Sequence, residues 1–261
     1  MGFASYREDI VSRYDGSSRF HAKSRERSNI APWSTQHMPT KTGEKVMSKL
    51  REFTVQSARP LPVILLADVS GSMGSEGKIN ALNLAVREML EALKDESDLR
   101  AEIHVAVITF GGSARVHLPI SPAKSAAWTD LGADGGTPMG GAFALARGLV
   151  EDRNTISSRA YRPTIVLVSD GQPTDDWSAP LKALLASERA GKAFRMAMAI
   201  GADADEKVLQ DFLAAPEARV FRADEAKKIR EFFRLVTMSV SSRSRSIDPN
   251  SPPPTAAGWN L

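Results

Sequence analysis

Residues 62–72 read P-V-I-L-L-A-D-V-S-G-S. The apolar run L-P-V-I-L-L-A (61–67) is short and rich in branched aliphatic side chains, which predicts a strand buried on both faces. It stops on Asp68, and hydroxyls follow at alternate positions, Ser70 and Ser72, around Gly71. A stretch that has just built core therefore turns at once into a carboxylate, two hydroxyls and a glycine. That change from packing to chemistry within five residues organises the reading of the rest of the chain.

Outward from this strand the pattern alternates. Residues 78–96 carry Ile79, Leu82, Val86, Met89, Leu90 and Leu93 on one helical face. Strands are predicted over 101–110 and 114–120, separated by Gly111-Gly112 as in a hairpin. A helix over 139–152 precedes a second apolar strand, 163–170, which also ends on an aspartate, Asp170. A helix over 176–191, a strand over 194–201, a helix over 204–215, a short strand over 218–223 and a helix over 224–241 complete the series. Strands of this length alternating with helices predict an α/β fold, with a mostly parallel sheet covered on both faces.

The flanks differ in texture. Residues 1–58 are polar and basic and read as a partly irregular N-terminal extension; its stretch 18–29 is basic, and 44–53 has the pattern of a short packed segment. Residues 242–261, S-R-S-R-S-I-D-P-N-S-P-P-P-T-A-A-G-W-N-L, are rich in Ser and Pro and read as a disordered tail. The domain is thus expected over 59–241. S-S-R-S-R-S (241–246) has the pattern of a basophilic kinase substrate, beside the plainer reading as a linker.

Composition sets limits. The 261 residues are 42% hydrophobic and 25% charged, ordinary for a globular protein. A formal charge of +3 gives no argument for nucleic acid as a partner. With no cysteine, disulfides, thiolate zinc sites and cysteine nucleophiles are excluded. No apolar run approaches the ~20 residues of a membrane span, and no signal-peptide pattern opens the chain, so the expected location is the cytoplasm and no membrane is expected as a partner.

In open α/β sheets ligands bind at the carboxyl ends of strands, at a topological switch point. Asp68 and Asp170 sit at such ends, so Asp68, Ser70, Ser72 and Asp170 are candidates to converge. The loop D-G-G-T-P-M-G-G-A (134–142) opens a helix and offers Thr137. All five are oxygen donors without His or Cys, a set that suits a hard cation, Mg²⁺ or Mn²⁺. With only two carboxylates, one of them held through water, the ion would keep positive character and attract an Asp or Glu from a partner. The plainer reading is that these residues cap strands and helices.

Here the residues resemble a known family. D-V-S-G-S (68–72), Thr137 in G-G-T-P and Asp170 in S-D-G are similar to the metal-ion-dependent adhesion site of von Willebrand factor A-type (VWA) domains. The resemblance covers about residues 60–240. It implies a three-layer Rossmann-like fold, with a six-stranded, mostly parallel sheet and one antiparallel edge strand matching 114–120. It also implies metal ligands Asp68, Ser70 and Ser72 from the first loop, Thr137 from the second and Asp170 from the third.

A narrower resemblance is to bacterial tellurium-resistance (TerY-like) VWA proteins, carried by R-P-L-P-V-I-L-L-A-D-V-S-G-S-M-G, V-I-T-F-G-G-S-A, G-G-T-P-M-G-G-A and L-V-S-D-G-Q-P-T-D-D. It implies a stress-response or defence setting, with a Ser/Thr kinase, a phosphatase or a stress-complex subunit as partner. The chain departs from that pattern in its N-terminal extension and in a tail without a cysteine-based zinc ribbon.

The expected function is a non-catalytic, metal-dependent protein-interaction module that takes a carboxylate or phosphate of a partner. Two alternatives stand beside it. One is an adaptor subunit of a chelatase-like motor ATPase. The other is a phosphatase of the haloacid-dehalogenase kind, whose D-x-D motif needs an acid where this chain has Ser70. G-G-T-P-M-G-G lacks the Gly-Lys-Ser/Thr ending of a phosphate loop. Asp175 and Asp176 are expected to cap the helix that follows them, with support of the site as the alternative. His104 and His117 read as ordinary strand residues, and His21 and His37 fall in the irregular N-terminal zone.

Overall fold

The computed structural model describes residues 57–96 and 100–252. The basic stretch 18–29, the segment 44–53, His21, His37 and the last nine residues of the tail lie outside the described residues. Six strands form one sheet: β1 (Arg59–Asp68), β2 (Ala101–Gly111), β3 (Ser113–Pro122), β4 (Thr164–Ser169), β5 (Phe194–Ile200) and β6 (Phe221–Ala223). Their order is β3-β2-β1-β4-β5-β6, parallel except for the antiparallel β2–β3 hairpin. This is the mixed α/β sheet expected from the sequence, with 114–120 inside the antiparallel edge strand.

The layers follow from strand alternation. Leu61, Val63, Leu65 and Ala67 of β1 face a core built with helices α1 (Lys78–Lys94) and α5 (Ala226–Arg245). Ile64 and Leu66 point the other way, into a core with α2 (Met139–Glu151), α3 (Ser178–Ala186) and α4 (Glu206–Leu213). Because β1 is paired on both edges and covered on both faces, every residue from Leu61 to Ser70 is buried. From β1 the chain runs outward through α1 to β2 and β3, then returns through α2 to β4 on the other side of β1. The strand order therefore reverses between β1 and β4, and the crevice at their carboxyl ends is the switch point.

One expectation is corrected at the C-terminus. Helix α5 continues to Arg245, and residues 246–252 are ordered, so 242–252 are not part of an unstructured tail. The cause is Arg243, 1% exposed despite its charge. Its Nε donates to the Pro249 carbonyl at 3.0 Å, Nη1 to Thr164 Oγ1 at 2.6 Å and Nη2 to the Arg162 carbonyl at 2.6 Å. The guanidinium also stacks on Phe194, 4.2 Å from the ring centre. Burial, with Arg162 nearby adding to it, pulls this guanidinium down to about 10. Asn250 closes the segment by accepting from the Arg162 amide at 2.8 Å. Composition favoured disorder, but the stripe Ile229, Phe233, Val236, Val240 carries on to Arg243 at helical spacing and takes it into the core.

Two stability outcomes are expected, each read by chemical denaturation. Arg243→Ala orphans two buried acceptors, the Pro249 carbonyl and the Thr164 hydroxyl, and a third at the Arg162 carbonyl, and should cost about 3 kcal/mol. Thr109 on β2 is buried, and its hydroxyl has no hydrogen-bond partner among the described residues; Thr109→Val keeps the shape, removes the orphan and should stabilise by about 1 kcal/mol. A loss of stability in the second variant would show that the hydroxyl is paired.

Candidate functional site

The carboxyl end of β1 carries Asp68, with no exposed surface. A buried carboxylate needs hydrogen bonds to replace water. Its Oδ1 accepts from the Ser70 amide at 2.8 Å, and its Oδ2 accepts from the hydroxyl of Ser169, the last residue of β4. Burial pushes the Asp68 carboxyl above the usual carboxylate range. The hydrogen bonds from Ser169 and Ser70 pull it back, and the charge of Asp170 adds to the rise.

From Asp68 the polar atoms run outward in a chain. Ser70 Oγ lies 3.0 Å from Ser72 Oγ, and Ser72 Oγ donates to Asp170 Oδ1 at 2.7 Å. Asp170, just past β4, is also fully buried, whereas Ser72 is exposed and stands at the opening. Thr137 joins from the second loop: its Oγ1 and Ser72 Oγ flank Gly171, at 3.5 and 3.8 Å from where a Cβ would stand. All five residues singled out in the sequence, Asp68, Ser70, Ser72, Thr137 and Asp170, thus meet at the switch point. Among the described residues no group of three or more His, Cys, Asp or Glu side chains is placed to hold a metal ion. An ion here would rest on hydroxyls and two carboxylates.

The loop after β4 holds Thr137 in place. Thr174 Oγ1 accepts from the Thr137 amide at 3.0 Å, and the Thr174 amide donates to the Thr137 carbonyl at 2.9 Å. Asp175 spans the start of α2, Oδ1 accepting from Gly140 N and Oδ2 from Gly141 N, both at 2.9 Å. This corrects the expected role of Asp175: it caps α2, which precedes it in the chain, and only Asp176 serves the following helix, accepting from the Ser178 amide at 3.1 Å. The two loops touch so closely that a Cβ on Gly140 would stand 2.2 Å from the Asp176 carbonyl. Asp175 also fills the anion-binding end of α2, which leaves G-G-T-P-M-G-G without the open amides of a phosphate cradle.

Sequence reasoning missed Lys78, the first residue of α1, whose Nζ donates to Asp170 Oδ2 at 3.0 Å. A signal was present. A cation in the first turn opposes the helix dipole, so a lysine there calls for a partner elsewhere.

The chain thus has an α/β fold with a reversed strand order and a cluster of carboxylates and hydroxyls at the crevice, the place where ligands bind in open α/β sheets. Residues 63–172 match the family described as the von Willebrand factor type A domain. No curated protein sequence matches the chain significantly. Solved structures agree on the fold. A von Willebrand factor type A protein from Catenulispora acidiphila is 22% identical, with a TM-score of 0.56, over 71% of this chain and 43% of that one. The ArnB paralog VWA2 from Sulfolobus acidocaldarius is 14% identical, with a TM-score of 0.50, over 72% and 46%. Proximal thread matrix protein 1 from the mussel byssus, with a zinc-occupied MIDAS motif, is 13% identical, with a TM-score of 0.52, over 69% and 48%. The chain spans less than half the length of each of these structures.

Asp175→Ala leaves two helix-start amides without acceptors. It should lower stability by about 1 kcal/mol and speed hydrogen exchange at Gly140 and Gly141 before the rest of α2. Unchanged exchange there would show that the cap does not hold the Thr137 loop.

Proposed function

We propose that this chain is a non-catalytic, metal-dependent protein-interaction module. Asp68, Ser70, Ser72, Thr137 and Asp170 would hold Mg²⁺ or Mn²⁺, with an Asp or Glu carboxylate or a phosphate of a partner completing the coordination. The observation that carries this reading is the hydrogen-bonded chain from Asp68 through Ser70 and Ser72 to Asp170, with the Thr137 hydroxyl alongside. The donor set fits the group. It is all oxygen, as hard divalent cations prefer, and it includes two buried carboxylates whose mutual repulsion a cation relieves. Bound there, the ion supplies a positive centre that attracts an anionic ligand.

The chain's own residues do the rest. Asp68 and Asp170 provide fixed negative charge beneath the surface. Ser70 and Thr137 line the interior, and Ser72 stands at the mouth where a partner approaches. The position two residues after Asp68 holds a serine whose hydroxyl meets Ser72, not an acid poised to move a proton. That supports binding over covalent phosphoryl chemistry.

The motif likeness to TerY-like proteins favours a bacterial stress-response or defence setting in the cytoplasm, with a Ser/Thr kinase, phosphatase or stress-complex subunit as partner. Among the described residues no helix is long and apolar enough to cross a membrane.

The test is a melt of the full chain with Mg²⁺ or Mn²⁺, beside Asp68→Asn. At a hundredfold excess over Kd, wild type should gain about 2.7 kcal/mol and the variant nothing. Equal gains in both would place any bound ion elsewhere, and partner capture that persists undiminished in EDTA would end the bridging role.

A further inference from the structure

Asp170 has a partner that the oxygen pattern does not include. While Ser72 Oγ bonds its Oδ1, the Lys78 ammonium sits on its Oδ2 at 3.0 Å. The lysine side chain is 15% exposed against a fully buried carboxylate. Three elements hold it. Its backbone amide donates to the Ser75 carbonyl, in the loop that carries Ser70 and Ser72. Its Nζ and Cε run past Gly201 at the end of β5, 3.5 and 3.8 Å from where a Cβ would stand. Its charge is anchored on the far side of the crevice, at the end of β4. Gly201 has φ +72° and no side chain, which leaves the lysine a path along the strand ends.

We propose that Lys78 is an internal counter-ion of the site: its ammonium neutralises Asp170, competes with a divalent cation for that carboxylate and so sets the ion affinity. The inference rests on the metal-dependent reading above. Two carboxylates and one ammonium leave the site with a single negative charge. A divalent cation then brings it to a single positive charge, where a site without the lysine would be neutral. The loaded site keeps an unspent attraction for an acidic group. Lys78 thus exchanges some affinity for the ion against affinity for the partner, and it steadies the paired carboxylates while no ion is bound.

The experiment is a Mn²⁺ titration of the full chain by calorimetry at fixed pH and ionic strength, with melts in EDTA and in Mn²⁺. Lys78→Met removes charge and donor, whereas Lys78→Gln keeps an N–H for Asp170. Both should bind Mn²⁺ about tenfold more tightly than wild type, the factor for one unit charge about 6 Å from a divalent ion at the dielectric of water. Both should also melt lower in EDTA and show a larger rise with Mn²⁺.

A lysine that only braces the fold would lower both melts equally and leave Kd unchanged, which overturns the inference. So would failure of both variants to fold at saturating Mn²⁺. Asp68→Asn separates the two levels. If no Mn²⁺ binding depends on Asp68, the metal-dependent reading falls and this one with it. If Asp68-dependent binding is present but indifferent to Lys78, only the counter-ion role fails.

Discussion

A carboxylate with no exposed surface, Asp68, closes a central strand of the sheet that is buried from Leu61 onward. Moving such a charge out of water costs several kcal/mol unless the surroundings answer it. Here they answer from two directions, through the Ser70 amide on its own strand end and the Ser169 hydroxyl on the neighbouring one. Those bonds tie the first loop to β4 across the point where the strand order reverses. The remaining polar atoms extend the tie, through Ser72 to Asp170 and from Asp170 to Lys78 on α1. The site is therefore a continuous network whose innermost member is held by the sheet and whose outermost member faces solvent.

The loops that carry the network are locked to each other by main-chain bonds. Gly71 N donates to Gly135 O, Asp134 N to Val69 O and Gly112 N to Gly136 O, so the hairpin end, the first loop and the Thr137 loop share one backbone mesh. Gly135, at φ +72°, allows a close approach: a Cβ there would stand 2.5 Å from Gly112 Cα. Thr174 and Asp175 add the fourth loop. Side-chain oxygens set on such a mesh are in position before any ligand arrives, which lowers the ordering cost of binding.

Much of this was legible in the sequence because the relevant signals are local. Apolar runs that alternate with amphipathic stretches give the elements within a few residues, and a strand end followed by D-x-S-x-S places three of the oxygens by itself. What escaped is tertiary. Asp175 caps a helix more than thirty residues upstream, and no spacing rule links the two. Lys78 reaches a carboxylate on another loop, and only its awkward place at a helix start betrays it. Arg243 lies in a Ser/Pro-rich stretch whose composition argues for disorder. Its burial depends on Thr164, Phe194 and the Arg162 carbonyl, which the chain brings together only once the sheet has formed.

The pole opposite the site holds both ends of the described domain. Arg59 opens β1 there, its amide donating to the Arg100 carbonyl and its guanidinium to the Arg159 carbonyl. The segment ending near Pro252 is pinned beside it to Arg162, just ahead of β4. Entry at Arg59 thus lies the whole length of the ten-residue β1 from Asp68, about 30 Å at ~3.3 Å per residue. Both connections of the domain to the rest of the chain therefore leave the mouth of the crevice uncovered by the described backbone ends.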